Sequence, residues 1–560
     1  MSLPLSPRIS AAEYGSCVAK WGVLAVLGAA QFLMVLDQAV MNVAISQLVA
    51  DFDTTVTTIQ GVIALYALVM AGLMLTGGKL GDIWGRKRAF VIGLCIYAAG
   101  SALTAASWNV PSLTLGWSVL EGIGAALVLP AMVALVAGNF KGQDRALAYG
   151  VLGGVAGAGI AVGPILGGWA TTELSWRVVF AGEVVVAAGI LFGSRLLREP
   201  ERPAKTSKLD LVGGALSALG LGVVVLGVLQ ASNWGWLAPR SSPIEPFGFS
   251  LTPFVIAAGA LILGAFVRWE RRREERGEDP LVHLRLLSIP RLRGGVSMLL
   301  AQNLILMGIF FTVPLFLQIV QGLDALETGV RMLPASVGLF VSALAGSALA
   351  KRFPARALVR VGLLVVLAAT LLLLDTIDPD LDNASFLIAM GVLGVGMGLI
   401  VSQLGNVVQS AVEDADRSEA GGLQNTAQQL GSSLGTALLG AIVITGLITA
   451  FTGNVANDPR IADDVRQQVE VKLSAGGSFV SSEEVEAAAE AEGIDPETTA
   501  ALVADYEDAQ ISALKTAFLL AALLVLASLF TTRRLPKQRF DELQAGSDPP
   551  ATPTPPPAPA

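Results

Sequence analysis

The chain has 560 residues, 53% of them apolar and only 15% charged, with a net charge of −8 and a mean hydropathy of +0.65. Soluble domains carry about 25% charged residues, so this shortfall, together with uninterrupted apolar runs of about 20 residues, excludes a string of soluble domains and places the chain in a bilayer. One histidine, two distant cysteines (Cys17 and Cys95), no nucleophile motif and no phosphate-binding loop argue against a disulfide framework and a Cys/His metal site, and leave a membrane enzyme as a remote reading.

Residues 1–20 hold Glu13 and lack a short apolar core with a cleavage site, so they read as a cytoplasmic leader rather than a removable signal. Apolar spans follow near 22–46, 56–76, 89–107, 112–137, 147–170, 178–197, 211–231, 252–269, 296–320, 329–350, 357–375, 385–410, 422–450 and 511–531. An even count of about fourteen puts both termini on one side. Lys and Arg gather in alternate connections: Lys79, Arg86, Lys87 and Arg88, then Lys141 and Arg145, then 195–208, 268–293 and 351–360. Basic residues stay cytoplasmic in short loops, so both termini are expected inside a cell membrane. The opposite face is acidic, with four Asp in "LDTIDPDLDN" and 14 carboxylates against three basic residues in 451–510. Within that stretch "SSEEVEAAAEAEGIDPETTAALVADYEDAQ" predicts short amphipathic helices outside the membrane, serving as a lid, a partner site or a plain spacer. The ending "DPPATPTPPPAPA" predicts a disordered Pro-rich tail over 536–560.

Segments 77–93 ("GGKLGDIWGRKRAFVIG") and 346–362 ("GSALAKRFPARALVRVG") are related: each leaves a span through a small residue, sets Leu before a charged turn, and reaches Gly inside the next span. The repeat implies an all-α membrane protein of two pseudo-symmetric six-helix bundles, 21–200 and 281–535, with an inserted helix pair and its linkers at 201–280. Three carboxylates fall inside apolar spans: Asp37, Glu121 and Glu183. An unpaired acid at mid-helix costs about 2.5–3.5 kcal/mol on insertion scales, so such groups face polar surroundings and mark function. Counted along their helices they lie from the midplane outward, where one cavity could collect them for proton exchange or substrate contact. Each could instead be a neutral acid bonded to a neighbouring helix, and Asn42, one turn beyond Asp37, is a candidate partner.

These motifs carry a resemblance. The 77–93 segment resembles the signature loop of the major facilitator superfamily, through Gly78, Leu80, Asp82, Gly85, Arg86 and Lys87. "GGVAGAGIAVGPILGG" (153–168) looks like the antiporter motif of its fifth span, with Gly159, Gly163, Pro164, Gly167 and Gly168. "FLMVLDQAVMNVAI" (32–45), the "SWRVVF" entry to span 6 and "LFLQIVQGLDALETGVRMLP" are similar to the fourteen-span drug:proton antiporter branch. The resemblance covers residues 20–535. It implies a monomeric, proton-coupled exporter of amphipathic or cationic small molecules by alternating access, with no cofactor and no nucleic-acid partner. Gly77, Gly78 and Gly85 would let two helices turn sharply, while Asp82 and Arg86 act as a cytoplasmic latch; the plainer reading is a basic loop that only sets orientation. The antiporter glycines could serve close helix packing alone.

Departures from the pattern stand beside it. Many relatives read Arg-x-x-Gln-Gly-x-Gly-Ala in span 4, whereas here Ser118 and Glu121 take the Arg and Gln places, and Ala39 and Ser46 replace the usual Thr and Pro near Asp37. Gln302, Asn303, Gln318, Gln403, Asn406, Gln424, Asn425 and Gln428 are expected either to line the second half of the cavity or to bond between helices. His283, in a basic inner loop, is not expected to be a catalytic base. The alternative cargo on the same fold is an endogenous lipid or secondary metabolite; a non-transporting receptor leaves the membrane acids unexplained.

Overall fold

The computed structural model describes residues 11–537 apart from 141, 200–208, 241, 351, 379–380, 382, 413–416 and 476–478. The start of the leader and the Pro-rich tail after 537 lie outside the described residues. Fourteen long helices carry the fold: α1 Ala11–Val43, α2 Val56–Trp84, α3 Arg86–Ala105, α4 Gly122–Asn139, α5 Gly142–Glu173, α6 Trp176–Gly193, α7 Leu211–Trp234, α8 Thr252–Glu275, α9 Pro290–Leu315, α10 Ala325–Leu349, α11 Ala355–Thr376, α12 Asn383–Gln409, α13 Arg417–Asn457 and α14 Pro496–Thr531. Thirteen of the fourteen positions are long and apolar enough to cross a bilayer over described residues, and α5 fills the remaining place in the series. Spanning helices satisfy their backbone groups internally, which hydrocarbon demands.

Helices α1 to α6 pack as one bundle and α9 to α14 as a second. The bundles meet along two seams, α5 against α10 and α2 against α13. The inserted pair is not a spacer between them. Helix α7 lies across the second seam, touching α2 and α13 together, while α8 packs on α7 and leaves most of its surface outward. Small residues allow this: a Cβ on Gly72 would lie 3.3 Å from the Ala218 backbone, and one on Gly259 would lie 2.7 Å from the Val224 nitrogen.

Several helices run past the apolar spans, because charge marks where a helix leaves the membrane and not where it stops. Helix α2 continues through 77–84 to Trp84, and α1 begins at Ala11, inside the expected leader. On the acidic side α13 reaches Asn457, and α14 begins at Pro496, where the Asp495 side chain accepts from the Glu497 and Thr498 nitrogens. Between them lie helices Asp463–Ala475 and Ser482–Ala491. This acidic segment is anchored: Phe479 is buried, the Val480 nitrogen donates to Tyr506 Oη at 3.0 Å, and Gln510 Nε2 donates to the Val480 carbonyl at 2.7 Å.

Candidate functional site

Asp37 of α1, Glu121 just before α4 and Glu183 of α6 converge in the core of the first bundle. One oxygen from each lies within 4.8 Å of the others, and all three residues are buried. Glu121 ends a π-helical stretch, Thr114–Glu121, that leads into α4 and also carries Trp117. Widened turns of this type recur at functional sites. Each acid has one oxygen held by a donor. Trp117 Nε1 donates to Asp37 Oδ1 at 2.7 Å, Thr104 Oγ1 reaches Glu121 Oε1 at 3.0 Å, and Ser101 Oγ and Tyr97 Oη donate to Glu183 Oε2 at 2.7 and 3.2 Å. Among the described residues the second oxygens, Asp37 Oδ2, Glu121 Oε2 and Glu183 Oε1, have no hydrogen-bond partner, and neither does the buried Tyr66 hydroxyl. Tyr66 stacks on Trp117 with centroids 4.4 Å apart. An all-oxygen cluster of this size can hold shared protons, and its atoms would also suit a hard cation.

Close approach of α3 makes the cluster possible. A Cβ on Gly100 would lie 2.7 Å from Glu121 Cγ and 2.7 Å from the Gly116 carbonyl, so only glycine fits. Asn42 does not join the acids; its amide donates to the Gln38 carbonyl, one turn back, at 2.7 Å.

A separate cavity of about 180 Å³ lies between the bundles, lined by α1 (Gln31, Met34, Val35, Gln38), α4 (Leu129, Met132, Val133) and α13 (Asn425, Gln428, Gln429). Of the eight amides singled out in the sequence, it takes Asn425 and Gln428. The others lie elsewhere. Gln302 is buried and accepts from Asn303, Gln403 donates to the Gly346 carbonyl at 2.9 Å, Asn406 is exposed, and Gln424 has its Oε1 buried without a partner. Gln318 fastens the two bundles together: its Oε1 accepts from Ser46 Oγ at 2.7 Å and its Nε2 donates to the Val43 carbonyl at 2.7 Å.

The small residues of α5 serve two faces. Gly159, Gly163 and Gly167, spaced four apart, admit Val35, Ala39 and Val40 of α1. Pro164 and Gly168 face the other bundle, where the Pro164 carbonyl abuts Gly329 and Gly168 abuts the Ala325 backbone. Beside them the Leu326 nitrogen donates to Thr172 Oγ1 at 3.1 Å. The expected latch is also more compact than a loop. Gly77 and Gly78 are helical, and Gly85 alone turns the chain, at φ +104. Asp82 pairs with Arg86 one turn away, and Arg86 Nη1 donates to the Gly78 carbonyl at 3.2 Å. Glu199, unforeseen in the sequence, fills the space beside Gly85 and accepts from the Arg86 and Lys87 nitrogens at the start of α3. Lys87 Nζ donates to the Leu197 carbonyl at 2.8 Å, and Lys79 pairs with Asp279 at 2.7 Å.

Residues 27–436 match the family model described as Major Facilitator Superfamily. The chain belongs to the major facilitator superfamily. Among curated members it is 33% identical to a puromycin resistance protein of Streptomyces alboniger, over 82% of this chain and 88% of that one. It is 31% identical to a probable actinorhodin transporter of Streptomyces coelicolor, over 83% and 78%. The fold matches a solved bacterial homologue of the lysosomal transporter Spinster, inward-facing and unoccupied, with TM-score 0.57, 15% identity and coverage of 93% and 98%. In this superfamily member, Ser118, at the position where many relatives carry a membrane Arg, donates from Oγ to the Val62 carbonyl at 2.8 Å and ties the π-helical stretch to α2. The acids' partners Tyr97, Ser101 and Thr104 were readable in principle, since spacings of four and three put them on one face of α3. Trp117 carried no such signal.

Proposed function

We propose that this chain is a proton-coupled exporter of amphipathic or cationic small molecules of drug type, working by alternating access, and not an enzyme. The observation that carries the reading is the convergence of Asp37, Glu121 and Glu183, all buried, with one oxygen from each within 4.8 Å of the others inside a helical bundle. Like charges this close, without a cation, cannot all be ionised in a dry setting, so they share protons. When the bundles rock and water reaches the cluster from outside, a proton enters; when the inner side opens, it leaves. One inward proton is driven by roughly 2.3 kcal/mol per 100 mV of potential, enough to bias the cycle toward export. Basic inner connections support a cell-membrane protein with both termini cytoplasmic, acting as a monomer. Asp82 and Arg86 form the cytoplasmic latch of this reading, and the α5 glycines keep the outer seam tight.

Relatives named as a tetracenomycin C resistance and export protein and a cephamycin export protein favour a second cargo reading, an endogenous secondary metabolite on the same machinery. The decisive experiment uses everted vesicles without sodium or divalent cations. Addition of a transported compound should release protons, and Asp37→Asn should abolish that release. Unchanged proton release in Asp37→Asn removes Asp37 from the mechanism, whereas exchange that requires an added metal ion replaces the proton by a cation.

A further inference from the structure

The acid cluster and the cavity between the bundles are separate places, and their separation bears on what the protein carries. Asp37 and Gln38 are consecutive, about 100° apart around α1. Asp37 points into the first bundle, where Trp117 and the stacked Tyr66 close over it, whereas Gln38 lines the cavity. No carboxylate, Lys or Arg is among the cavity's described lining; its polar groups are the side-chain amides of Gln31, Gln38, Asn425, Gln428 and Gln429. Gln38 Nε2 has only the weak acceptor Met70 Sδ at 3.9 Å. Among the described residues the other four make no side-chain hydrogen bond.

Resting on the exporter reading above, we propose that this cavity binds an uncharged amphipath rich in carbonyl and hydroxyl groups, rather than a lipophilic cation. An amide offers both donor and acceptor, so these amides, four without a side-chain hydrogen bond among the described residues and Gln38 held only by a thioether, answer such groups whichever way they point. A permanent cation placed there would be stripped of water with no counter-charge against it. Met34, Val35, Leu129, Met132 and Val133 supply the apolar wall for rings. The volume of about 180 Å³ is below the roughly 300–1,000 Å³ of drug sites, so this state admits only part of such a molecule. Because α1 and α13 belong to different bundles, a ligand bonded to both biases their relative position. Cargo and proton then communicate through α1, by Gln38 and Asp37, without competing for one carboxylate.

The test uses purified full-length protein in lipid nanodiscs and two probes: a dihydroxyanthraquinone held well below its phenol pKa, and the bulkier tetraphenylphosphonium, whose charge dependence is read from the carboxylate variants below. The neutral probe is expected to bind saturably and about tenfold more tightly than the cation. Gln38→Met and Asn425→Leu should each weaken it by about three- to tenfold. A gain guards against misfolding: Gln38→Glu and Gln428→Glu each place a carboxylate in the cavity and should raise tetraphenylphosphonium affinity. Equal or tighter binding of the cation by the unmodified protein, or anthraquinone binding indifferent to both amide variants, overturns the assignment. Proton-linked movement of each probe in everted vesicles separates the two levels. Export of the cation alone leaves the exporter standing and this cargo class refuted, while neither binding nor export of either probe removes both.

Discussion

Each of the three buried acids is fastened through one oxygen and open at the other, and the fastening sets where the open oxygen points. Losing a donor to a buried acceptor costs about 1–3 kcal/mol, so Trp117→Phe, which removes the indole donor to Asp37 Oδ1, should cost about that in stability and weaken proton exchange together. Ser101→Ala should be milder, because Tyr97 still reaches the same oxygen of Glu183. A thermal-unfolding series on the two variants ranks them, and an equal loss would mean that the donors are interchangeable with packing. Gly100→Ala tests the same cluster by steric means. Its methyl would meet both Glu121 and the Gly116 carbonyl at 2.7 Å, an overpacking that costs about 1–3 kcal/mol, and proton release should fall although no titrating group has changed.

Beyond the end of α1, Asp51 gathers Gln47 Nε2 at 2.8 Å, Trp176 Nε1 at 2.9 Å and Arg177 Nη1 at 2.7 Å. Burial pushes the Asp51 carboxyl up, but hydrogen bonds from Gln47, Trp176 and Arg177 and the Arg177 charge outweigh it and hold the group below its usual range. A carboxyl lowered by folding contributes fully above its unfolded value, about 3.9, and loses that contribution as pH falls through the lower folded value. Asp51→Asn should therefore lower the unfolding midpoint by about 2 °C at neutral pH, and the gap to the unmodified protein should close towards pH 3. A gap that persists there would show that the clasp works through shape rather than charge.

At the scale of elements, the α2–α3 junction shows how a charged stretch becomes a rigid corner. Gly85 combines a positive φ with a space that Glu199 enters, so Gly85→Ala is refused twice, by the backbone and by the carboxylate. Glu199→Gln keeps the shape and removes the charge that meets the start of α3. The expected loss is about 1 kcal/mol, read as faster amide exchange at Arg86 and Lys87 with the rest of α3 unaffected; uniform protection would deny Glu199 its capping role. The corner also explains what the sequence could convey. Apolar run length made the spans legible, and Asp37, Glu121 and Glu183 stood out because charge in hydrocarbon is costly. Helix ends were less legible: residues 77–84 and 496–510 are polar yet suit a helix, so hydropathy stopped short where the backbone did not. Glu199 lies more than a hundred residues from Gly85 and touches it only because α6 packs beside α3 and ends near its start. Nothing local in "LLREP" signals that contact. Gln318 was visible as a polar residue in a span, but its bonds to Val43 and Ser46 depend on how two bundles meet.

At the scale of the molecule, the inserted pair alters what has to move. Helix α7 crosses the α2–α13 seam, so rocking of the bundles must slide both against it. The chain leaving α8 then fastens to each bundle in turn. Asp279 pairs with Lys79 at 2.7 Å, and the Pro280 carbonyl accepts from the same ammonium at 3.2 Å, which ties the segment to the last turns of α2. Two residues on, the Val282 nitrogen donates to Glu270 Oε2 at 3.1 Å. His283 then meets Glu419 at the start of α13 through both its backbone nitrogen and its ring, the latter at 2.8 Å. Five residues thus connect the end of α2 to the start of α13, helices of opposite bundles, in parallel with their direct contact. An ion pair with this much exposure contributes up to about 1 kcal/mol, which corresponds to about a fivefold change in a two-state balance. Lys79→Met should consequently broaden the distances between spin labels on the inner ends of α4 and α12. Adding Glu419→Gln should broaden them further, because it frees the other end of the same strap. If the double variant shows the distance distribution of the unmodified protein, the strap carries no load and the direct contact between α2 and α13 governs the inner seam alone.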